Sequence, residues 1–308
     1  MRLVFLGNWG IGQTVLRSAL ACPGWDVAAV ITRRYDPAAA DPWRNCVYDE
    51  AQRSHVPILN LRDINATESR EQLRALQPDL FLVAAYPKLI SGDVLAIPTL
   101  GAINFHGSLL PKNRGTSPVN WALIRGEPTV GLTAHFIDTG MDTGDLILQS
   151  SLPVAEADTP TSLADKIKAL APPIATQILN QLRDTGGLPR QPQNHAAATY
   201  APRLTRADCQ IKWSESASAL KRLIRGVAQP NLGAWTILDG QPLIVWRAHE
   251  HPMPAESQAT PGTITAIDNE SFLVACGAGT LTVRHADVKW PDRQTPALKI
   301  GQQFEVAG

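Results

Sequence analysis

Over its first half the chain alternates short apolar runs with segments of helical spacing, and this order constrains the fold more than any other feature. Apolar runs stand at Arg2 to Leu6, Asp26 to Ile31, Val56 to Leu59, Leu80 to Ala84 and Ala102 to Phe105. Between them, Thr14 to Ala21, Val47 to Ser54 and Ser69 to Leu76 carry apolar residues at mixed three- and four-residue spacing, the period of a helix with one buried face. Strands that are apolar throughout need helices over both faces, so the order predicts a doubly wound α/β domain. Ligands of such sheets gather beyond the carboxyl ends of the strands, which directs attention to the residues after Ala84 and Phe105.

Side chains of a strand alternate between faces, so Asn104 and His106 project from the same face at the end of their run. Asp142 follows in a loop carrying Gly140 and Gly144, and only a fold that returns the chain brings it to the histidine. A carboxamide donates to an oxyanion, an imidazole moves a proton, and a carboxylate orients the imidazole; together they suit attack of a nucleophile on a carbonyl carbon. The chain has no G-x-S-x-G, and Ser108 lies in a Ser-Leu-Leu-Pro turn that reads as a loop stiffener. Direct transfer of an acyl group between two bound substrates is therefore expected, without a covalent acyl-enzyme.

The segments Asn104 to Pro111 (NFHGSLLP), Arg114 to Pro118 (RGTSP), Gly131 to His135 (GLTAH) and Met141 to Asp145 (MDTGD) resemble the catalytic core of the folate-dependent formyltransferases. That family includes the glycinamide ribonucleotide, methionyl-tRNA and amino-sugar formyltransferases. The resemblance implies that Asn104, His106 and Asp142 are the catalytic set and that 10-formyltetrahydrofolate is the formyl donor. It also implies a pterin-binding loop at Tyr86, Pro87, Lys88, Leu89 and Ile90, with the turn Ile137, Asp138, Thr139, Gly140 and Met141 as its other wall. In the expected mechanism a neutral amine attacks the formyl carbon, and Asn104 with a protonated His106 stabilises the oxyanion. Asp142 then orients His106 and relays the proton to the departing folate nitrogen. Further on, Thr199 to Thr205 (TYAPRLT), Ile211 to Trp213, Gly233 to Trp235 and Val245-Trp246 resemble the linker and C-terminal domain found in methionyl-tRNA formyltransferases and several small-molecule relatives. The expected organisation is a Rossmann-like formyltransferase domain over 1–185, a polar linker over 186–202, and a small OB-like β-barrel over 203–308.

Charge bears on the acceptor. From Arg203 to Gly308 the chain has 11 Lys and Arg against 10 Asp and Glu, whereas a tRNA binder is expected to present a basic face. The segment after the second strand, Thr32 to Trp43 (TRRYDPAAADPW), lacks the Lys-rich insertion of methionyl-tRNA formyltransferases, and the cluster Lys221, Arg222 and Arg225 reads as a solvated helix face. A small-molecule amine, such as a nucleotide-linked amino sugar or N-hydroxyornithine, is thus the expected acceptor, with tRNA as the alternative. Trp213, Trp235, Trp246 and Trp290 read most simply as packing in the smaller domain. His135 alternates with Ala134 and Phe136 and faces either the core or the site. Gly7 to Gly12 departs from a dinucleotide fingerprint and reads as a tight turn that opens on the ligand edge, where Asn8 or Trp9 is expected to line the acceptor pocket. The four cysteines and the pair His249 and His251 show no metal-ligand spacing, so no metal is expected. The apolar start is too short for a signal peptide or a span, which points to a cytoplasmic protein with no membrane partner.

Overall fold

Strands β1 (Arg2–Gly7), β2 (Asp26–Ile31), β3 (Leu80–Ala84) and β4 (Ala102–His106) run parallel in the order β2-β1-β3-β4. Two antiparallel strands, β5 (Thr129–Phe136) and β6 (Leu146–Pro153), extend the sheet beyond β4. Every residue of β3 is buried, as an unbroken apolar run in the middle of a covered sheet must be. The structure is a computed structural model that describes residues 1–38, 44–251, 259–290 and 297–305. Its chain divides into two units, the first made of Met1–Pro118, Thr129–Pro153 and Ala164–Pro202 and the second of Val119–Pro128, Val154–Leu163 and Arg203–Gly308.

In the first unit α1 (Trp9–Ala21) lies on β1 and β3 and also against α2 (Cys46–Arg53). Helix α3 (Thr67–Ala75) and the single turn α4 (Gly92–Leu95) lead into β3 and β4. The run Val56 to Leu59, expected as a strand, forms only one parallel bridge, Val30 to Ile58. Pro57 explains this: its carbonyl accepts from Val30 N (2.8 Å), but it has no N–H to continue a ladder. Helix α5 (Pro118–Arg125) precedes β5, and α6 (Pro160–Ala169) is followed after Leu170 by α7 (Ala171–Thr185). Pro172 and Pro173 fall in the first turn of α7, where a missing N–H breaks no intrahelical bond, so the helical stretch divides just ahead of them. Residues 186–202, expected as a linker, are hydrogen-bonded into the first unit. Gln191 exchanges backbone bonds with Leu146, and Arg114 exchanges them with Thr199 and Ala201.

The second unit holds α8 (Ala217–Gly226) and short antiparallel strands: β7 (Ala234–Leu238), β8 (Gln241–Val245), β9 (His249–Glu250), β10 (Ile264–Ile267), β11 (Ser271–Ala275), β12 (Thr280–Arg284) and β13 (Val288–Lys289). They form two sheets, β10-β11-β12-β9 and β13-β8-β7. Phe304 bridges to Leu238 of one sheet while Gln303 bridges to Thr263 beside the other, so the tail ties the two together. Trp213 sits at the centre of the core, fully buried, with its ring stacked on Phe304 at 5.1 Å and its indole N–H donated to Thr236 Oγ1 at 3.0 Å.

Trp213→Ala should therefore destabilise the second unit by about 3 to 5 kcal/mol, the usual cost of emptying an aromatic core position. Urea unfolding followed by tryptophan fluorescence measures this.

Candidate active site

Pairing of β4 with β5 builds the base of the site. The register sets Asn104 opposite His135 and His106 opposite Thr133, and residues opposed across antiparallel strands share a face. His135 therefore faces the site. Its Nδ1 stands 2.7 Å from the Phe136 carbonyl, an acceptor, so the ring carries its proton there and offers a lone pair at Nε2. Asn104 Nδ2 donates to that lone pair at 3.1 Å. His106 Nε2 lies 2.9 Å from the Asn113 carbonyl, which likewise fixes the proton on Nε2 and leaves Nδ1 as the basic nitrogen.

Asp142 returns to these residues on the turn between β5 and β6, as expected. Gly144 makes the return possible, because a Cβ there would lie 2.0 Å from the Phe136 carbonyl oxygen. Asp142 Oδ2 accepts from Gly115 N–H at 2.8 Å and stands 3.6 Å from His106 Nδ1. Asp142 Oδ1 is 3.6 Å from His135 Nε2 and accepts from Asn104 Nδ2 at 3.4 Å. Asp142 and Asn113 both adopt left-handed backbone, with φ of 54° and 57°, a conformation that Asn and Asp tolerate and that clusters at functional sites. The Ser108 hydroxyl donates to the Lys112 carbonyl at 2.6 Å, across the turn it stands in.

Burial pushes the His106 imidazole below its ordinary value; Asp142 and the Asn113 carbonyl oppose this, and His135 adds to it. Burial thus favours the neutral resting ring, and the Asp142 carboxylate favours the protonated one. For Asp142, burial alone would raise the carboxyl, but His106, His135 and the Gly115 N–H outweigh it and hold the group down to about 2.

The segment Tyr86 to Ile90 follows β3 at the carboxyl edge of the sheet. Asn65 pins it, donating to the Leu89 carbonyl (3.1 Å) and accepting from Ser91 N (2.8 Å), while Lys88 Nζ donates to the Arg62 carbonyl (2.8 Å). Burial, with Asp63 adding to it, pushes the Tyr86 phenol up to about 12. Tyr86, Ile90 and Ile137 belong to one apolar cluster, so the two expected walls share a foundation. Asp138 closes the second wall by accepting from Gly140 N and Thr143 Oγ1. Leu89 and Met141 remain exposed, one on each loop, as apolar surfaces suited to a flat ring. Thr139 lies on the same turn.

Sequence reasoning missed Asn113, Arg114, Asn65 and Gln193. Arg114 opens a segment already singled out and Asn113 immediately precedes it, but nothing in periodicity marks Gln193. Asn8 does not line an acceptor site: it is buried, and its amide joins the Ala85 carbonyl to Thr32 and Arg33 N. The Trp9 ring lies beneath Arg33, 4.4 Å away. In the second unit Trp213 and Trp290 are core, whereas Trp235 and Trp246 are only half-buried and Arg206 lies over the Trp235 ring at 4.9 Å. The basic face of α8 is not simply solvated. Lys221 pairs with Glu156 and Glu250, Arg225 donates to the Glu156 carbonyl, and Arg222 donates to Ser218. His249 is exposed, and His251 bonds to Thr282. Among the described residues no group of His, Cys, Asp or Glu is placed to hold a metal, and no helix is long and apolar enough to cross a membrane. The segment 39–43, part of the expected acceptor-selecting stretch after β2, lies outside the described residues.

Comparison with known proteins agrees with this geometry. Residues 1–179 match the formyl transferase family and residues 203–295 the formyl transferase C-terminal domain. A methionyl-tRNA formyltransferase of Acetivibrio thermocellus is 35% identical over 302 residues, covering 96% of this chain and 94% of its own. The Marinobacter nauticus enzyme of the same name is 34% identical, covering 94% and 92%. In fold the chain is similar to an N-formyltransferase from Helicobacter canadensis solved with folinic acid and dTDP-3-aminofucose, at a TM-score of 0.70 and 18% identity over 92% of this chain and 99% of that one. It is also similar to glycinamide ribonucleotide transformylase 1 from Symbiobacterium toebii, at a TM-score of 0.51 and 29% identity over 59% and 89%. The methionyl-tRNA relatives overturn the expectation of a small-molecule amine acceptor. That expectation rested on net charge and on one loop, and a near-zero net charge does not report where charges and aromatic rings are placed.

The two perturbed groups make the fold acid-sensitive in two steps. His106 is depressed, so the unfolded chain binds its proton first, and stability falls as pH drops below the ordinary imidazole value of 6.5. Asp142 contributes stability that is fully present above the ordinary carboxyl value of 3.8 and is lost as pH falls toward about 2. A tenfold change in an acidity constant is worth about 1.4 kcal/mol, so the second step amounts to about 2 kcal/mol. Urea unfolding from pH 7 to about pH 2 should show the decline. In Asp142→Asn the lower step should vanish, and the His106 NMR titration should move further down because the carboxylate that raises it is gone.

Proposed function

This chain belongs to the formyl transferase family, whose members use 10-formyltetrahydrofolate, and from that premise we propose that it formylates the amino nitrogen of methionyl-tRNA. The observation that carries the reading is the match to methionyl-tRNA formyltransferases across both domains, with coverage above 90% of each chain. The half-buried Trp235 with Arg206 over its face supports it further, since aromatic rings and arginines both contribute to the surfaces that bind single-stranded nucleic acid. Such a substrate is met in the cytoplasm.

In the proposed site the loop Tyr86 to Ile90 and the turn Ile137 to Met141 hold the donor, whose contribution is the formyl group itself. Asn104 supplies the oxyanion donor. One of its amide hydrogens is held by His135 at 3.1 Å, while the other makes only a long 3.4 Å contact to Asp142, so a developing oxyanion can claim it at little cost. His106 begins neutral and takes the amine's proton at Nδ1. The imidazolium so formed faces the Asp142 carboxylate 3.6 Å away, which stabilises the charge until the proton passes to the leaving nitrogen. Asp142 stays ionised throughout, as its low value requires. The histidine thus serves as acceptor in the first step and donor in the second.

Purified protein, 10-formyltetrahydrofolate and charged initiator tRNA should yield formylmethionyl-tRNA, with turnover falling steeply as salt rises because phosphate contacts release counterions. Absence of tRNA formylation at low salt would overturn the reading. Asn104→Ala, His106→Ala and Asp142→Ala should each lower kcat about 100- to 1000-fold while circular dichroism shows an intact fold.

A further inference from the structure

Gln193 and Arg114 are both buried beside the site, and the roles assigned above use neither. We propose that Gln193 is a positioning residue for Asp142, carried on a strap from Gln191 to Ala201 that sets the spacing of the His106–Asp142 pair; this rests on the reading of that pair as the proton relay.

Every polar atom of the Gln193 side chain is committed. Its Nε2 donates one hydrogen to the Asp142 carbonyl at 2.9 Å and the other to the Gly144 carbonyl at 2.7 Å, so one amide grips the turn on both sides of Thr143. Its Oε1 accepts from Arg114 Nε at 3.2 Å and Nη2 at 2.7 Å. That fork fixes which end of the amide faces the turn, since an oxygen against two carbonyls would repel them. Arg114 Nη2 also donates to His195 Nδ1 at 3.1 Å, and among the described residues no carboxylate pairs with this guanidinium. A buried guanidinium whose partners are a side-chain amide and an imidazole is costly to maintain for stability alone, which argues for a role in the site.

The same strap also reaches the histidine. Asn113 N donates to Thr199 Oγ1 at 2.9 Å and Arg114 N to the Thr199 carbonyl at 2.9 Å, and the Asn113 carbonyl receives the His106 Nε2 proton. One segment therefore grips both halves of the pair, Asp142 through Gln193 and His106 through Asn113. Asp142 has left-handed backbone, and the grip falls on the turn that carries it.

The test uses the full-length protein with Gln193→Glu, which keeps the acceptor for Arg114 but loses both donors, and Gln193→Met, which keeps only the length. Each is made alone and in the Asp142→Asn background, with folding checked by thermal unfolding and kcat and KM followed against pH. Gln193→Glu and Gln193→Met should each lower kcat about 10- to 100-fold, the cost of misplacing a catalytic group by about 1 Å, with KM for donor and acceptor little changed. In Gln193→Met, which adds no charge, the midpoint of the pH–kcat profile should move to lower pH, because the carboxylate that raises His106 is further away; a merely structural amide would not move it. In the Asp142→Asn background the additional loss should be less than about twofold, as expected for residues that act as one unit. Wild-type kcat with an unmoved midpoint in the folded variants, or a loss that multiplies fully with Asp142→Asn, would overturn the proposal. Failure of both variants to fold while Asp142→Asn folds normally would assign Gln193 to structure instead. Wild-type activity of Asp142→Asn itself would remove the relay reading, and the proposal with it.

Discussion

Three separate stretches of chain meet at the Asp142 carboxylate, and the site depends on how weakly most of them touch it. Its one short contact is the Gly115 N–H at 2.8 Å; Asn104, His106 and His135 stand between 3.4 and 3.6 Å. Contacts this long must be kept in place from outside, and here the holding is done by the β4–β5 register, the Asn113 carbonyl and Gln193. The long contacts leave donors that a substrate carbonyl can claim without first breaking strong bonds, which is the physical content of preorganisation.

What could be read from the residues followed the range of the interaction. Asn104 and His106 share a face because a strand has a period of two, and β3 and β4 were legible as strands because continuous apolar runs have few other fates. Asp142 was found through the family motif and the glycines beside it. The side taken by His135 was not legible, since it depends on an antiparallel register set by the whole path from β4 to β5. Gln193 lies 51 residues from the carbonyl it grips, in a segment with no periodicity, and contacts of that kind leave no local trace. The downward shift of His106 has no local trace either, because it turns on burial, a property of the assembled fold.

The acceptor was misread for a related reason. A count of charges sums over a surface and discards arrangement. Lys221 and Arg225 are spent on Glu156 and its neighbours, so they add little basic surface, while Trp235 and Arg206 form a stacked pair that no count of charges registers. Identity across both domains carries information about such arrangements that bulk composition cannot.

The second unit is assembled from three stretches that are not consecutive, Val119–Pro128, Val154–Leu163 and Arg203–Gly308. Asn120 donates to the Gly226 carbonyl at 2.8 Å, and Lys221 reaches Glu156, so the first two stretches settle on α8. On the ribosome they emerge before α8 exists. At about 5 to 20 residues per second the nascent chain must keep them unpaired for several seconds, a window in which partly buried apolar groups such as Ile124 are open to capture by chaperones or by other chains. A message cut short ahead of Ala217 would leave that window permanently open, so such a truncation yields a sticky product and not a smaller working domain.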